Sequence, residues 1–449
     1  MKNEITEINK KINKKNETTL NDTPSGERIH IALFGLRNAG KSSLANAITG
    51  QEISIVSEIK GTTTDPVKKA MELSTAGAVL IIDTPGLDDD GELGGKRAAR
   101  AFEILETCDI AVFVHALDNS NGAYINKKEL AKTFNALELE FLSKLAASNT
   151  PYLTVLSKAD TFNVSASESE IESEFELELA NRTEKIILTS AQTGLNIELL
   201  RTRLAEKCLE SKLGSKKEKK LIADLLTPGD VVVLVMPIDK AAPKGRLILP
   251  QQQTIREILD AKCVAVSCQV GELDGLLKNL FKTSTPRMII TDSSVFKEVI
   301  EIVPPEIPLT SFSILFARYK GNLETFMAGA EHIKELKDGD KVLISEACTH
   351  CRVSGDIATE KLPKLLKQLS GAELEFSYTK GKEFPDGNEL KKYELVVHCG
   401  GCMLTEKEML ARLERCFHSS VLSLNFGFAF AFPFYSYNIL SVYLGKKNN

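Results

Sequence analysis

Ile29-His30-Ile31-Ala32-Leu33-Phe34 runs without a break into Gly35-Leu36-Arg37-Asn38-Ala39-Gly40-Lys41-Ser42. The short β-branched and apolar run predicts a strand, and the eight residues after it satisfy the phosphate-loop spacing: glycine, four residues, then Gly-Lys-Ser. Gly35 and Gly40 let backbone N–H groups turn inward around phosphates. Lys41 carries positive charge to the outer phosphates, and Ser42 offers a hydroxyl to magnesium. A helix beginning near Lys41 adds its positive dipole end. The stretch Gly35 to Ser43, with Asn38, Ala39 and Ser43 inside it, is therefore the expected phosphate-binding segment.

The order of motifs after it points the same way. Gly61-Thr62-Thr63-Thr64-Asp65 stands where a mobile switch would bring a hydroxyl to the metal, and Thr63 is the expected magnesium ligand. Val67 to Ser74 and Ala78 to Ile82 predict a hairpin turning at Ala76-Gly77. Its second strand ends in Asp83-Thr84-Pro85-Gly86, whose carboxylate can hold magnesium through water and whose Gly86 amide can sense a terminal phosphate. Lys41, Thr63, Asp83 and Gly86 form the expected catalytic set. Position 87 is Leu and not a water-orienting Gln, so hydrolysis is expected to be slow unless a cation, a partner or one of Asp88, Asp89, Asp90 and Glu92 assists. Ser157-Lys158-Ala159-Asp160 follows the apolar run Tyr152 to Leu156. A carboxylate at Asp160 accepts both N1–H and the 2-amino group of guanine, whereas adenine offers neither, so GTP is the expected nucleotide. Ser190-Ala191, after Lys185 to Leu188, would set a backbone amide against the guanine oxygen.

The chain has 449 residues, a length that suggests about three domains. A net charge of −5 argues against a nucleic-acid partner held mainly through phosphates. Nine cysteines without a secretory signal suggest a reducing compartment, in which thiols stay free for metal or redox chemistry. Residues 1–27 mix Lys with Glu and Asp and read as a disordered leader. Val421 to Leu444 is strongly apolar but interrupted by Asn425, Gly427, Pro433 and Ser436. Because Phe426, Phe428, Phe430 and Phe432 alternate with small residues, a buried strand is expected there and a membrane span is not.

Between these segments, Ser165 to Leu179 reads as an acidic, solvated helix, and Ser211 to Lys220, with five lysines, as a linker or helix end. After Pro228 the pattern alternates: Val231 to Met236, Cys263 to Val266 and Met288 to Ile290 as strands, Thr254 to Ala261 and Leu273 to Phe281 as helices. The expected architecture is α/β throughout: a doubly wound phosphate-loop sheet, then two smaller α/β domains, each with a mostly parallel sheet. Asp239 to Gln251, polar-basic, then apolar, then stopped by Pro250, could place an edge strand against a second copy of the chain.

Cys348-Thr349-His350-Cys351 and His398-Cys399-Gly400-Gly401-Cys402 face each other across 47 residues between the two histidines. Soft ligands grouped at this spacing are metal ligands, and each group follows a strand-like segment, Lys341 to Ser345 and Glu394 to Val397. Strand ends would bring them to one rim of a sheet. The spacing suits a structural zinc ribbon and an iron–sulfur cluster equally.

From Arg28 to Leu209 the motifs resemble the translation-factor-like class of P-loop GTPases. The Asn usual before the Lys of the base-reading motif is Ser157 here, a departure that bears on nucleotide affinity. Asn38 resembles the asparagine that coordinates a monovalent cation in the potassium-activated members. Cys-x-His, the gap and His-Cys-x-x-Cys, joined to that domain and to Ala-Pro-Lys-Gly-Arg-Leu-Ile-Leu-Pro-Gln, resemble the FeFe-hydrogenase maturation GTPases of the HydF family. The resemblance implies a GTP-binding domain (28–210), a linker (211–225), a dimerisation domain (226–336) and an iron–sulfur cluster-binding domain (337–449). It also implies GTP, Mg²⁺ and K⁺, and a 4Fe–4S cluster on Cys348, Cys399 and Cys402. His350 or His398 would be a fourth ligand or stand behind the ligands; Cys351 lies outside the family pattern, and the chain after Ala431 departs from the family's usual ending. The implied protein is a cytoplasmic homodimer that carries a diiron precursor, loaded by radical-SAM maturases and delivered to apo FeFe-hydrogenase. The rival class is an RNA- or ribosome-associated GTPase with a structural zinc ribbon.

Overall fold

A computed structural model describes residues 23–50, 66–88, 92–117, 130, 132–148, 150–161, 174–179, 182–214, 219–238, 247–280, 285–348, 356–381 and 383–434. Three sheets carry the chain. The strands of the first are β1 (Ile29–Phe34), β2 (Val67–Leu73), β3 (Gly77–Asp83), β4 (Ile110–Ala116), β5 (Tyr152–Ser157), β6 (Glu174–Leu179) and β7 (Arg182–Leu188), in the order β2-β3-β1-β4-β5-β7-β6. β1 pairs in parallel with both β3 and β4, while β2 and β6 are antiparallel edge strands. β1 and β4 are apolar along nearly their whole length because helices cover both faces of the sheet. One buried cluster, around Phe34, Phe113 and Phe141, lies on one face and a second, around Leu44, Ile48 and Leu200, on the other.

The second sheet contains β8 (Val231–Val235), β9 (Val264–Cys268), β10 (Met288–Thr291) and β11 (Leu309–Ser311), all parallel, in the order β11-β10-β8-β9. The third contains β12 (Lys341–Glu346), β13 (Glu375–Lys380), β14 (Leu395–His398) and β15 (Leu422–Asn425), again parallel, in the order β13-β12-β14-β15. One buried cluster runs through both small sheets, joining Val233 and Ile289 to Val342, Val397 and Phe428, so they share a core. The expected α/β architecture stands.

Three local expectations are corrected. Glu174–Leu179 is a strand and not a helix: Glu174, Glu176 and Glu178 alternate with Phe175, Leu177 and Leu179, which is the period of an edge strand against β7. Ser165 to 173 lies outside the described residues. The alternating phenylalanines form no strand: β15 ends at Asn425, whose side chain caps a short helix, Phe426–Ala431, by accepting from the Gly427 amide at 2.8 Å. Gly427 has no room for a Cβ, which would stand 2.8 Å from the Ile314 amide nitrogen, so this helix lies hard against its neighbour. Finally, Leu249–Asp260 is a helix with Pro250 in its first turn, so the described part of the stretch ending at Gln251 enters a helix; residues 239–246 lie outside the description. The exposed edge of the middle sheet is β9, where Val264 is 50% exposed. No described helix is long and apolar enough to cross a membrane.

Candidate functional site

Strand order in the first sheet reverses at β1, and ligands of doubly wound sheets bind at the carboxyl ends of strands at that reversal. The phosphate loop leaves β1 there. Gly35 has φ +151°, and a Cβ on it would meet the Val114 carbonyl oxygen at 2.2 Å, so only glycine passes beneath β4. Gly40 (φ +87°) opens the helix Lys41–Thr49, and Asn38 sits at φ +60° with its side chain exposed. Ala39 is buried, while Ser42 and Ser43 are exposed on the first turn of the helix. Lys41 is buried, its ammonium donating to the carbonyls of Gly35 (3.0 Å) and Leu36 (2.7 Å).

Asp83 arrives at the same rim from β3. The Ser42 hydroxyl donates to its Oδ2 at 2.5 Å, and its Oδ1 is buried without a partner. Burial pushes the Asp83 carboxyl up against the pull of Ser42, Lys41 and Lys69. A hydroxyl and an orphaned carboxylate oxygen side by side are the donor set of a hard cation held partly through water, so these residues fit Mg²⁺. Thr63, the other expected ligand, lies outside the described residues. Gly86 is buried against the phosphate loop, with a Cβ placed 2.9 Å from the Arg37 amide nitrogen. The Leu87 amide donates to the Gly35 carbonyl at 3.2 Å, and the Arg37 amide to Asp88 Oδ1 at 2.5 Å. Asp88 is therefore tied to the loop; Asp89 and Asp90 are outside the described residues, as is the side chain of Glu92.

The residues expected to read the base follow β5 and β7. Ser190 donates its hydroxyl to Asp160 Oδ1, and the Ala159 amide donates to the Thr189 carbonyl at 3.0 Å, which locks the two loops together. Ala191, partly buried, follows Ser190, and Lys158 takes φ +61° between β5 and Asp160. Ser157, where the family carries Asn, donates its hydroxyl to the Ala39 carbonyl at 2.6 Å. A serine thus still straps the base loop to the phosphate loop. Lys69 was not anticipated: it projects from β2 onto Asn46 (2.5 Å) and lies within electrostatic reach of Asp83. A lysine in an alternating strand gives no signal of this.

The third sheet repeats the placement rule. Its order reverses between β12 and β14, and Cys348 and Cys399 leave the carboxyl ends of those paired strands. The Cys399 amide donates to the Ser345 carbonyl (3.1 Å). Its sulfur accepts from the amides of Ala347 (3.1 Å) and Gly401 (3.4 Å), and Asn425 donates to its carbonyl (3.1 Å). Burial raises the Cys399 thiol, and pushes Cys402 up to about 12 with the charges of Cys399 and Cys348 acting in the same direction. The three thiols therefore share one rim within electrostatic reach. Among the described residues no three Cys, His, Asp or Glu side chains stand close enough to hold a metal ion, and His350 and Cys351 lie outside them. His398 is buried with neither ring nitrogen hydrogen-bonded, stacked on Phe384 at 5.6 Å, and burial beside Arg412 holds its pKa down at about 3. Soft donors, two backbone N–H groups on one sulfur and a neutral imidazole are chemistry that fits a thiolate-held cluster.

The helix Glu406–His418 joins the two sites. On one side Lys407 donates to the Cys108 carbonyl and the Thr150 hydroxyl, both at 2.6 Å, and Arg415 pairs with Glu106 at 2.9 Å. On the other, the buried Arg412 donates to Ser345 Oγ (3.0 Å) and the Gly381 carbonyl (2.7 Å), with its guanidinium 5.0 Å above the Phe384 ring. A cavity of about 80 Å³ lies between, bordered by His30, Arg100, Ile104, Phe384 and Arg412.

These features define a P-loop GTPase domain with two parallel-sheet domains appended. Residues 30–158 match the 50S ribosome-binding GTPase family, 221–321 the hydrogen maturase F dimerization domain and 324–440 the hydrogen maturase F tetramerization domain. The chain is a hydrogen maturase F (HydF)-type GTPase, and its two appended domains belong to oligomerisation families. The match to residue 440 continues past Ala431. Among curated relatives, the tRNA modification GTPase MnmE of Acidovorax sp. (strain JS42) is 32% identical over 182 residues, 40% of this chain and 35% of that protein. GTPase Der of Campylobacter hominis is 34% identical over 131 residues, 29% of this chain and 25% of that one. The alignment thus spans about a third or less of these relatives' length. The FeoB G-domain of Methanococcus jannaschii is a similar solved structure at 23% identity, covering 40% of this chain and 98% of that chain, with a TM-score of 0.26.

Proposed function

We propose that the chain hydrolyses GTP and serves FeFe-hydrogenase maturation as an iron–sulfur scaffold, carrying a diiron precursor to apo-hydrogenase. The observation that supports this most is the exit of Cys348 and Cys399 from adjacent parallel strands at a strand-order reversal, with Cys402 three residues on. In this reading Cys348, Cys399 and Cys402 hold a 4Fe–4S cluster with three thiolates, leaving one iron for an exchangeable ligand. His398, buried and neutral, and His350 stand as the fourth-ligand candidates.

GTP sits on Gly35 to Ser43, with its base on Asp160, Ser190 and Ala191, and Lys158 alongside. Mg²⁺ is held by Ser42 and Thr63, with Asp83 acting through water, and K⁺ at Asn38 would supply charge that other GTPases take from an arginine. Hydrolysis would time the exchange of radical-SAM maturases and the hydrogenase, in the cytoplasm, on a homodimer. The exposed edge of β9 supports self-association better than the stretch before Gln251. We set the domain limits at 28–210, 226–336 and 337–449, a division that the presence of three separate sheets supports.

The test is anaerobic reconstitution with iron and sulfide, followed by electron paramagnetic resonance of the wild type and of Cys348→Ala, Cys399→Ala and Cys402→Ala. A reduced-cluster signal lost in each variant is expected. A colourless protein that retains one zinc per chain would instead place it with zinc-ribbon GTPases.

A further inference from the structure

Lys320 ends the helix Phe312–Lys320 of the middle part of the chain, and its side chain is 2% exposed. Its ammonium donates to the carbonyls of Leu404 (2.7 Å), Cys402 (3.3 Å) and Gly26 (3.3 Å), and it pairs with Glu27 at 2.9 Å. Four oxygens from two segments distant in sequence thus meet on one buried cation. Removing an ammonium from water is costly, and an apolar side chain would fill the space at less cost, so the site gains from the charge something that packing does not supply. What the charge does here is fix backbone carbonyls.

The two segments it joins matter to different sites. Cys402 to Leu404 is the loop after the second cysteine group, and it leads directly into Thr405, the cap of the helix Glu406–His418. Gly26 and Glu27 stand three and two residues before β1, and β1 delivers the phosphate loop. Contact between the segments is close: a Cβ on Gly26 would stand 2.7 Å from the Leu404 oxygen and 2.8 Å from the Cys402 oxygen. His30, in β1, bonds the Ser25 carbonyl through its ring at 2.9 Å, which holds the turn onto the strand.

We infer that Lys320 is a positioning residue of the cysteine site: it clamps the Cys402–Leu404 loop to the segment entering β1, so that the presentation of Cys402 depends on where the GTP-binding sheet lies. The cluster part of this statement rests on the scaffold reading above; the clamp does not.

Lys320→Met and Lys320→Arg test it in the full chain. In metal-free protein, amide hydrogen exchange over residues 400–405 and 24–28 should quicken at least about tenfold in Lys320→Met, and return towards wild type in Lys320→Arg. After reconstitution, loss of a cation beside Cys402 should move the cluster's reduction potential to more negative values, with arginine restoring it. Should Lys320→Met fail to fold, Gly26→Ala strikes the same loop from the opposite side and should quicken the same amides. Unchanged exchange over 400–405 in a folded Lys320→Met, or in Gly26→Ala, overturns the clamp. A potential that does not move in Lys320→Met overturns its bearing on Cys402. If wild-type protein takes up no cluster, the scaffold reading falls, and the exchange measurement still decides the clamp.

Discussion

Replacing Asp160, the proposed base reader, by Asn should separate base recognition from phosphate binding. The Ser190 hydroxyl occupies one lone pair of Asp160 Oδ1, which leaves the rest of the carboxylate to accept N1–H and the 2-amino group of guanine. An amide at that position puts an N–H₂ where guanine already presents a donor, so one charge-assisted hydrogen bond becomes a donor–donor contact and the other loses its charge. Hydrogen bonds to charged groups contribute about 1.5–3 kcal/mol each. Asp160 is exposed, which favours the lower figure, and two such bonds give about 3 kcal/mol, or roughly a hundredfold in dissociation constant at 1.4 kcal/mol per decade. Xanthosine triphosphate, with an oxygen at C2 that accepts from the same amide, should lose its disadvantage. Ser190→Ala only frees the carboxylate, so about 1 kcal/mol, or roughly fivefold, is expected. Calorimetric titration with GTP and xanthosine triphosphate reads all of this. GTP affinity within threefold of wild type in Asp160→Asn would refute the assignment of Asp160 as the base reader.

Three further outcomes are expected. Asp109, half-buried behind β1, accepts the His30 amide at 2.7 Å, and burial pushes its carboxyl up to about 6. An acid whose folded pKa is raised binds its proton more tightly in the folded state, so stability rises as pH falls from about 6 towards 4 and is lost again as pH rises through 6. With water still reaching the group, wild type should gain about 1–2 kcal/mol on Asp109→Asn across that window, read from paired urea titrations at several pH values, and parallel curves would contradict it. Lys41→Ala should abolish GTP turnover in a phosphate-release assay while leaving reconstituted iron per chain at the wild-type level; equal loss of iron would contradict the division of labour between the two ends of the chain. Gly35→Ala, whose Cβ lands 2.2 Å from the Val114 oxygen, should cost more than about 3 kcal/mol, visible as a lowered melting temperature of the nucleotide domain in differential scanning calorimetry.

What could be read ahead of the coordinates was whatever is local. Ile29–Phe34, the phosphate loop, the hairpin around Ala76-Gly77 and the strand before Ser157 each carry their reason within a few residues, as a period, a turn or a glycine that must pass a neighbour. Glu174–Leu179 was misread because a run of glutamates suits both a solvated helix and an edge strand, and only pairing with β7 separates them. Phe426–Ala431 was misread because alternation of large and small residues also serves a short, largely buried helix, here beside Phe326 and Ile314. Lys320, Lys407 and Arg412 had no local signature at all. Each is a basic residue on a helix, and what it does is set by which carbonyl another part of the chain brings to it.

The two sites obey one geometric rule, and the rule explains how they can occupy a single chain with different chemistries. In each sheet the functional loops leave the carboxyl ends of parallel strands where the order reverses, since there the crossover helices diverge and leave a crevice. At β1 and β3 the crevice is lined by backbone N–H groups, an ammonium and a hydroxyl, which suit phosphate and a hard cation. At β12 and β14 it is lined by thiols, a neutral imidazole and aromatic rings, donors of the soft kind proposed above to hold a cluster. The chemistries are thus kept apart by donor type, and the sheets are held together by cations on backbone oxygens: Lys407 on Cys108, Lys320 on Gly26, Cys402 and Leu404. The Lys407 contact is short at 2.6 Å and the Lys320 contact to Gly26 longer at 3.3 Å, so a displacement of the first sheet beyond what the flexible lysine stems absorb must either break them or carry the cysteine loop along.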